Sequence, residues 1–313
     1  MGQFDAGVSA RSKSMDKRHT HRGESGQTLV LLALWMISLL AILALVLDGG
    51  HIYLERRHMQ NAADAGATAG TRTLALGGTT GAAQAAASQY AVTYNGADNA
   101  TVTINGKTVT VVACENVPMT FARVLGLNSV VVCATASATY GAVSEVVGLA
   151  PIAIKDFPYL FDTPYVIWDD DKDRDPTTGY ISGSFRGWLN LPCVYPMDCG
   201  AAGADDLKNW MHNGYPSKVK VKQWIRGDGG VKAAVIQQAY VGQELRMVVY
   251  DQIEDKYNNE SYYHVIKFVI FKVTEVIASG NPKGVRGYFM HYFTPGPPGD
   301  GEDSGWNSLD LTQ

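Results

Sequence analysis

From Leu29 to Leu47 every position is apolar except Ser38. At about 1.5 Å per helical residue, these nineteen residues reach about 28 Å, the thickness of a bilayer's hydrocarbon core. A secretory h-region is shorter, about 7–15 residues, and leads into a small-residue cleavage site. Here Asp48-Gly49-Gly50 and then a bulky, charged stretch follow instead. The pattern predicts a retained transmembrane anchor over residues 27–50. Arg11, Lys13, Lys17, Arg18 and Arg22 precede the run, whereas only Arg56 and Arg57 follow it within a comparable distance. The Lys/Arg excess marks the cytoplasmic flank. The N-terminus is therefore expected inside, with the bulk extracytoplasmic or at the cell surface. Residues 1–26 are polar and read as a disordered cytoplasmic tail.

Past the membrane, His51 to Leu76 contains no proline and much alanine, so the anchor helix is expected to continue outward. Ala62, Ala63, Gly66, Ala69 and Gly70 recur at three- and four-residue spacing. A face so composed admits close approach of another helix or a sheet; the plain alternative is a solvated Ala-rich helix. Gly77-Gly78 breaks the pattern, and Gly81 to Tyr94 reads as a second helix. The period then falls to two. Thr101 to Ile104 and Lys107 to Val112 flank Asn105-Gly106, a strong hairpin signal. A short helix over Met119 to Leu125 and a strand over Ser129 to Ala138 complete an α+β domain over residues 51–145, a pilin-like helix on an antiparallel sheet.

From Ala150 the composition shifts to Pro, Tyr, Trp and Asp. Strand-like runs fall at Tyr165 to Trp168, Lys218 to Trp224, Leu245 to Tyr250, Tyr263 to Ile277 and Gly287 to Phe293. Helical stretches fall at Asp205 to His212 and Val231 to Tyr240. These predict a β-rich domain over 146–293, and the Pro/Gly-rich residues 294–313 read as a flexible tail. The formal charge of −4 gives no reason to expect nucleic acid. Four cysteines form two local pairs, Cys114 with Cys133 and Cys193 with Cys199, neither in C-x-x-C spacing. Outside the cytoplasm an even count favours disulfides; buried free thiols are the alternative. Cys114 ends one expected strand and Cys133 lies in the next, which makes a bridge between neighbours geometrically reasonable.

Gly26-Gln27 opens the apolar run, Asp48 closes it, and Tyr53 and Arg56-Arg57 follow. Next comes Gln60-Asn61-Ala62-Ala63-Asp64-Ala65 with an Ala/Gly tail. This stretch resembles the N-terminal region of Flp pilus-assembly TadE/TadG-like proteins, with a firm likeness over about residues 22–75. The resemblance implies a structural or assembly component of a tight-adherence pilus rather than an enzyme. It also implies the lipid bilayer and other pilus-assembly subunits as partners, the latter through the Ala/Gly helix face. Larger members carry a von Willebrand A domain with an Asp-x-Ser-x-Ser metal site, and this sequence has no such triplet. Processed pilin-like members carry Glu five residues after a Gly; Gly23 and Gly26 are followed there by Thr28 and Leu31. A permanently anchored subunit is therefore expected. Gly183 to Leu191 and Ala204 to Leu207 resemble the C-terminal region of short members, a likeness that implies no activity.

Asp169, Asp171, Asp173 and Asp175 alternate along one acidic run. Converging carboxylates can hold Ca²⁺, but Arg174 stands where the calcium-binding loop of an EF-hand needs Gly, and Tyr180 where it needs Glu. The run is a weak calcium candidate against a solvated acidic turn, and no other cofactor is expected. The histidines show no H-E-x-x-H spacing, and Gly183 to Gly187 places its serine one position early for a nucleophile elbow. Tyr159, Tyr165, Trp168, Trp188, Trp210, Trp224, Tyr262, Tyr263, Tyr288 and Tyr292 would suit a glycan or partner-protein surface if exposed together. That gives the alternative function, a membrane-tethered binding module; otherwise these rings fill a core.

Overall fold

The computed structural model describes residues 25–168, 180–181, 186–197, 199–229, 233–257, 260–280 and 283–313. The chain divides into two compact units, Met1–His51 with Pro118–Ser129, and Ile52–Val117 with Val130–Gln313. One helix, α1 (Ser25–Ala75), begins in the first unit and ends in the second.

In the first unit the apolar run of α1 is bare. Every large apolar side chain from Leu29 to Leu47 is exposed, and the helix is long and apolar enough to cross a membrane. The lone hydroxyl of the run, on Ser38, donates to the carbonyl of Leu34 one turn back at 2.9 Å. A polar group in this stretch thus needs no water. Pro118–Ser129 folds as a loop closed at its base by Met119 N–H donating to the Asn128 carbonyl (2.9 Å), with a 3-10 turn over Ala122–Leu125.

In the second unit α1 is followed by α2 (Thr80–Ser88), capped by the Thr79 hydroxyl accepting from Ala82 N–H, and by a π-helical turn over Gln89–Tyr94. Strands β1 (Asn99–Asn105), β2 (Thr108–Pro118) and β3 (Ser129–Ala142) then form neighbouring members of a sheet. The hairpin forms one residue later than its Asn-Gly signal suggests. Asn105 pairs with Thr108, leaving Gly106-Lys107 as the turn. Gly106 alone adopts positive φ (+57°), which suits a two-residue turn with Gly first.

Burial alternates along β2 and β3, and the buried side carries Val109, Val111, Ala113, Ala134, Ala136 and Ala138. Against it lie Met59, Ala62, Ala63 and Ala67 of α1. Cys114 and Cys133 are disulfide-bonded, on positions that alternate with the helix-covered ones. Both expected bridges form, since Cys193 is bonded to Cys199.

The rest of the chain supplies β4 (Glu145–Val146), β5 (Leu149–Lys155), β6 (Pro164–Trp168), β7 (Tyr180–Ile181) and β8 (Arg186–Val194). Then come α3 (Ala204–Asn213), β9 (Val219–Lys220), β10 (Trp224–Gly227), α4 (Ala233–Ile236), β11 (Glu244–Tyr257) and β12 (Glu260–Ile277). The chain ends with β13 (Gly284–Met290), β14 (Tyr292–Pro295) and β15 (Trp306–Thr312). An eight-stranded sheet runs β10-β8-β5-β11-β12-β13-β6-β7, and β10 also pairs with β12. Five strands therefore close into a ring, which leaves them no free edge. Leu207, Trp210 and Met211 form the buried face of α3, at helical spacing, and join the large core of this sheet.

Two expectations change here. The 294–313 stretch, read as a flexible tail, contains β15, which pairs antiparallel with β3 from Asn307↔Ala142 to Thr312↔Ser137. With β14 it extends the first sheet to β1-β2-β3-β15-β14. In addition, the Ala/Gly face of α1 is not left open for another subunit. A Cβ built on Gly66 would stand 2.9 Å from the Ala87 carbonyl oxygen and 3.3 Å from Val111. One built on Gly70 would stand 3.0 Å from Val109 and 3.1 Å from the Ala83 carbonyl oxygen. The face is filled by the chain's own α2 and β2.

Replacing a helical glycine relieves a propensity cost of about 1 kcal/mol, whereas overpacking a filled contact costs about 1–3 kcal/mol. Gly66→Leu is therefore expected to lower the melting temperature of the detergent-solubilised full chain. Thr68→Leu, on the exposed side of α1, should leave it nearly unchanged. A Gly66→Leu protein that melts no lower than native would contradict this packing.

Candidate functional site

The Gln60–Ala65 motif lies where α1 meets the sheet. Ala62 and Ala63 are fully buried against it. Gln60 donates to Asp64 (2.9 Å) and to the Thr135 carbonyl (3.3 Å), tying the helix to β3. Asp64 accepts from the Gln313 side chain at 2.8 Å, and Arg56 donates to the Cys133 carbonyl at 3.5 Å. Deeper along the same face, the buried Thr71 hydroxyl donates to the Ala138 carbonyl at 3.0 Å. Asn61 alone of the six is exposed. The motif is thus a docking seam for the chain's own sheet, in which alanines permit contact and flanking polar groups fix register.

Asp48 has a role the sequence pattern does not reveal. Its carboxylate accepts from three successive backbone N–H groups of the 118–129 loop. Thr120 donates to Oδ1 at 3.0 Å, Ala122 to Oδ2 at 2.7 Å, and Phe121 to both oxygens at 3.3 and 3.0 Å. Only 7% of Asp48 is exposed. The loop it holds turns outward Phe121, Val124 and Leu127, at 40%, 88% and 56% exposure. Phe121, Val124 and Leu127, three apolar residues within seven positions, were the signal available in the sequence.

A second grouping the sequence reading missed joins Glu55 and His58 of α1 to Glu115 of β2. His58 Nδ1 stands 3.4 Å from Glu55 Oε2 and 3.7 Å from Glu115 Oε2. All three donor atoms lie within 4.8 Å of one another, a spacing that could hold a metal ion. Glu55 and His58, one helical turn apart, were its only sequence signal.

The acidic run Asp169, Asp171, Asp173 and Asp175 lies outside the described residues. The second-domain histidines are dispersed: His212 faces the Gln238 carbonyl (3.1 Å), His264 pairs with Asp251 (2.8 Å), and His291 stacks on Phe161. The aromatic binding surface is corrected by burial. Tyr165, Trp188, Trp210 and Tyr262 are buried, and the other six rings are partly covered, so none of the ten is exposed. Tyr165, Trp188 and Trp210 belong to the core of the large sheet and Tyr159, Tyr263 and Tyr292 pack against it, where flat rings meet edge to face. Phe157 and Tyr165, for example, meet at 5.9 Å in such a geometry.

Burial, and after it the neighbouring Glu55 carboxylate, push the Glu115 carboxyl above the ordinary glutamate range; Asp98 acts in the same sense and His58 opposes it. A raised folded-state value means that the folded chain holds this proton more tightly than the unfolded one. The resulting stability is complete below the ordinary range and is lost as pH rises through the raised value. Glu115→Gln, which carries no charge at any pH, should therefore melt above the native protein at about pH 8 and converge with it in acid. Equal melting temperatures at both extremes would contradict the assignment.

Residues 26–89 match the model of a putative Flp pilus-assembly TadE/G-like family. That segment contains the bare helix, Asp48, the Gln60–Ala65 seam and α2. Comparison with curated proteins and with solved structures gives no match. The N-terminal part of the chain is thus similar to TadE/G-like Flp pilus-assembly proteins over this segment.

Proposed function

We propose that the chain is a structural or assembly component of a tight-adherence (Flp/Tad-type) pilus. It is held in the cytoplasmic membrane by residues 27–50, with its N-terminus inside and its folded mass outside. The observation that carries this reading is the TadE/G-like match over 26–89, coincident with a helix whose apolar half no described residue covers. The five basic residues before the apolar run support the orientation. Two disulfides suit an oxidising compartment. The missing Glu after Gly23 and Gly26 favours an anchor that stays in place. The role is structural rather than catalytic, and the partners are lipid and other pilus-assembly subunits. Because the Ala/Gly face of α1 is occupied within the chain, those subunits meet other surfaces.

Deleting the gene should abolish piliation and surface adherence, and a plasmid copy should restore both; normal pili in the deletion strain would overturn the reading. An alkaline phosphatase fusion at Gln313 should be active and one at residue 10 inactive. The reverse pattern would overturn the orientation.

A further inference from the structure

We infer that the loop Pro118–Ser129 is a second membrane contact, which seats Phe121, Val124 and Leu127 in the lipid interface beside the anchor helix. The inference rests on the membrane-anchor reading and adds an element to it. Four observations converge on a lipid surface as the occupant.

The first is continuity. The apolar run ends at Leu47, and the next residue, Asp48, is the one whose carboxylate holds the backbone of Thr120, Phe121 and Ala122. The loop is therefore fixed at the depth where the hydrocarbon-compatible helix stops. Second, the loop needs no hydrogen bonds from lipid for the groups that shape it. Asp48 takes three N–H groups, Val124 N–H donates to the Phe121 carbonyl (3.0 Å) and Leu127 N–H to the Ala122 carbonyl (3.2 Å). Irregular backbone enters a low-dielectric region only when so satisfied.

Third, the exposed side chains have the wrong chemistry for water. Val124 is 88% exposed and Leu127 56%, although the adjoining Met119 is buried. Fourth, Arg123 lies exposed between Phe121 and Val124. An arginine within an apolar tip suits the lipid phosphates, since its stem can lie along apolar surface while its head stays at the headgroups.

The chain has no free cysteine, so a single introduced thiol can carry a spin label. The full chain would be reconstituted in phosphatidylcholine/phosphatidylglycerol vesicles with a label at Val124→Cys, Leu127→Cys, Thr101→Cys or Leu39→Cys. Collisions of the label with oxygen, which partitions into lipid, and with a water-soluble nickel chelate would be read by electron paramagnetic resonance. Labels at 124 and 127 should shift towards oxygen and lose nickel collisions, as the label at 39 does, while the label at 101 stays nickel-accessible. Adding Asp48→Asn, which turns N–H donors towards the loop's own N–H groups, should return the label at 124 to water.

A lipid-immersed label at 39 with water-exposed labels at 124 and 127 would overturn this inference and leave the anchor standing. A water-exposed label at 39 would overturn both. Shielding of 124 and 127 from both reagents would mean that protein, such as a second copy, covers the loop, and would also overturn it.

Discussion

A helix comes closest to a β-sheet where both surfaces carry mainly small side chains, and the helix-on-sheet part of the second unit is built on that condition, with Met59 also joining the contact. Along α1 the contact is made by Ala62, Ala63, Gly66, Ala67 and Gly70; along the sheet it is made by Val109, Val111, Ala113, Ala134, Ala136 and Ala138. α2 and the π-helical turn after it enter the same contact with Ala83, Ala87 and Ala91, spaced four apart as Gly66 and Gly70 are. Side chains this small bury little area each, so such a core depends on tight fit and on polar ties at its margin. Gln60, Thr71 and Arg56 supply those ties by donating to backbone carbonyls of β3. The Cys114–Cys133 bridge constrains the unfolded chain across the same two strands.

The sheet needs the end of the chain as well as its beginning. Without β15 the strand β3 would be an open edge with unpaired N–H and C=O groups. With it, Gln313 reaches Asp64 of the Gln60–Ala65 stretch on α1. The helix-on-sheet module and the later β-rich region are therefore interdependent. Removing the terminal strand would expose β3 and release the outer anchor of Asp64 together.

Much of this was legible in the sequence wherever one residue type had one physical meaning. An apolar run of bilayer length interrupted only by Ser38, the Ala/Gly spacing, the hairpin glycine and two local cysteine pairs each led to the element found. Failures occurred where local pattern lacks the deciding information. The glycines at 66 and 70 require a close neighbour, but spacing does not say whether it is the same chain or another. Leu149 to Ile154 is buried at every position, so the alternation that reveals a strand is absent and β5 was missed. The Pro/Gly-rich stretch from Thr294 hid a strand because its composition is loop-like while Trp306–Thr312 is not. Glu115 joined Glu55 and His58 only through tertiary structure.

The two halves of α1 obey opposite rules, and Asp48 stands where one gives way to the other. Before it the large side chains are apolar all round the helix, the pattern of a segment long and apolar enough to cross a membrane. Well beyond it the helix is small on one side and polar on the other, as a sheet and water require. A carboxylate at such a border loses hydration, and a buried charge without partners is strongly destabilising. Here three backbone N–H groups take the place of water, through bonds of the charge-assisted kind. The exchange serves both partners, since the same carboxylate fixes the backbone of a loop whose exposed apolar side chains could not order it by packing on the protein. A charge that would be a liability at the end of a membrane helix thereby becomes the fixed point of the segment around it.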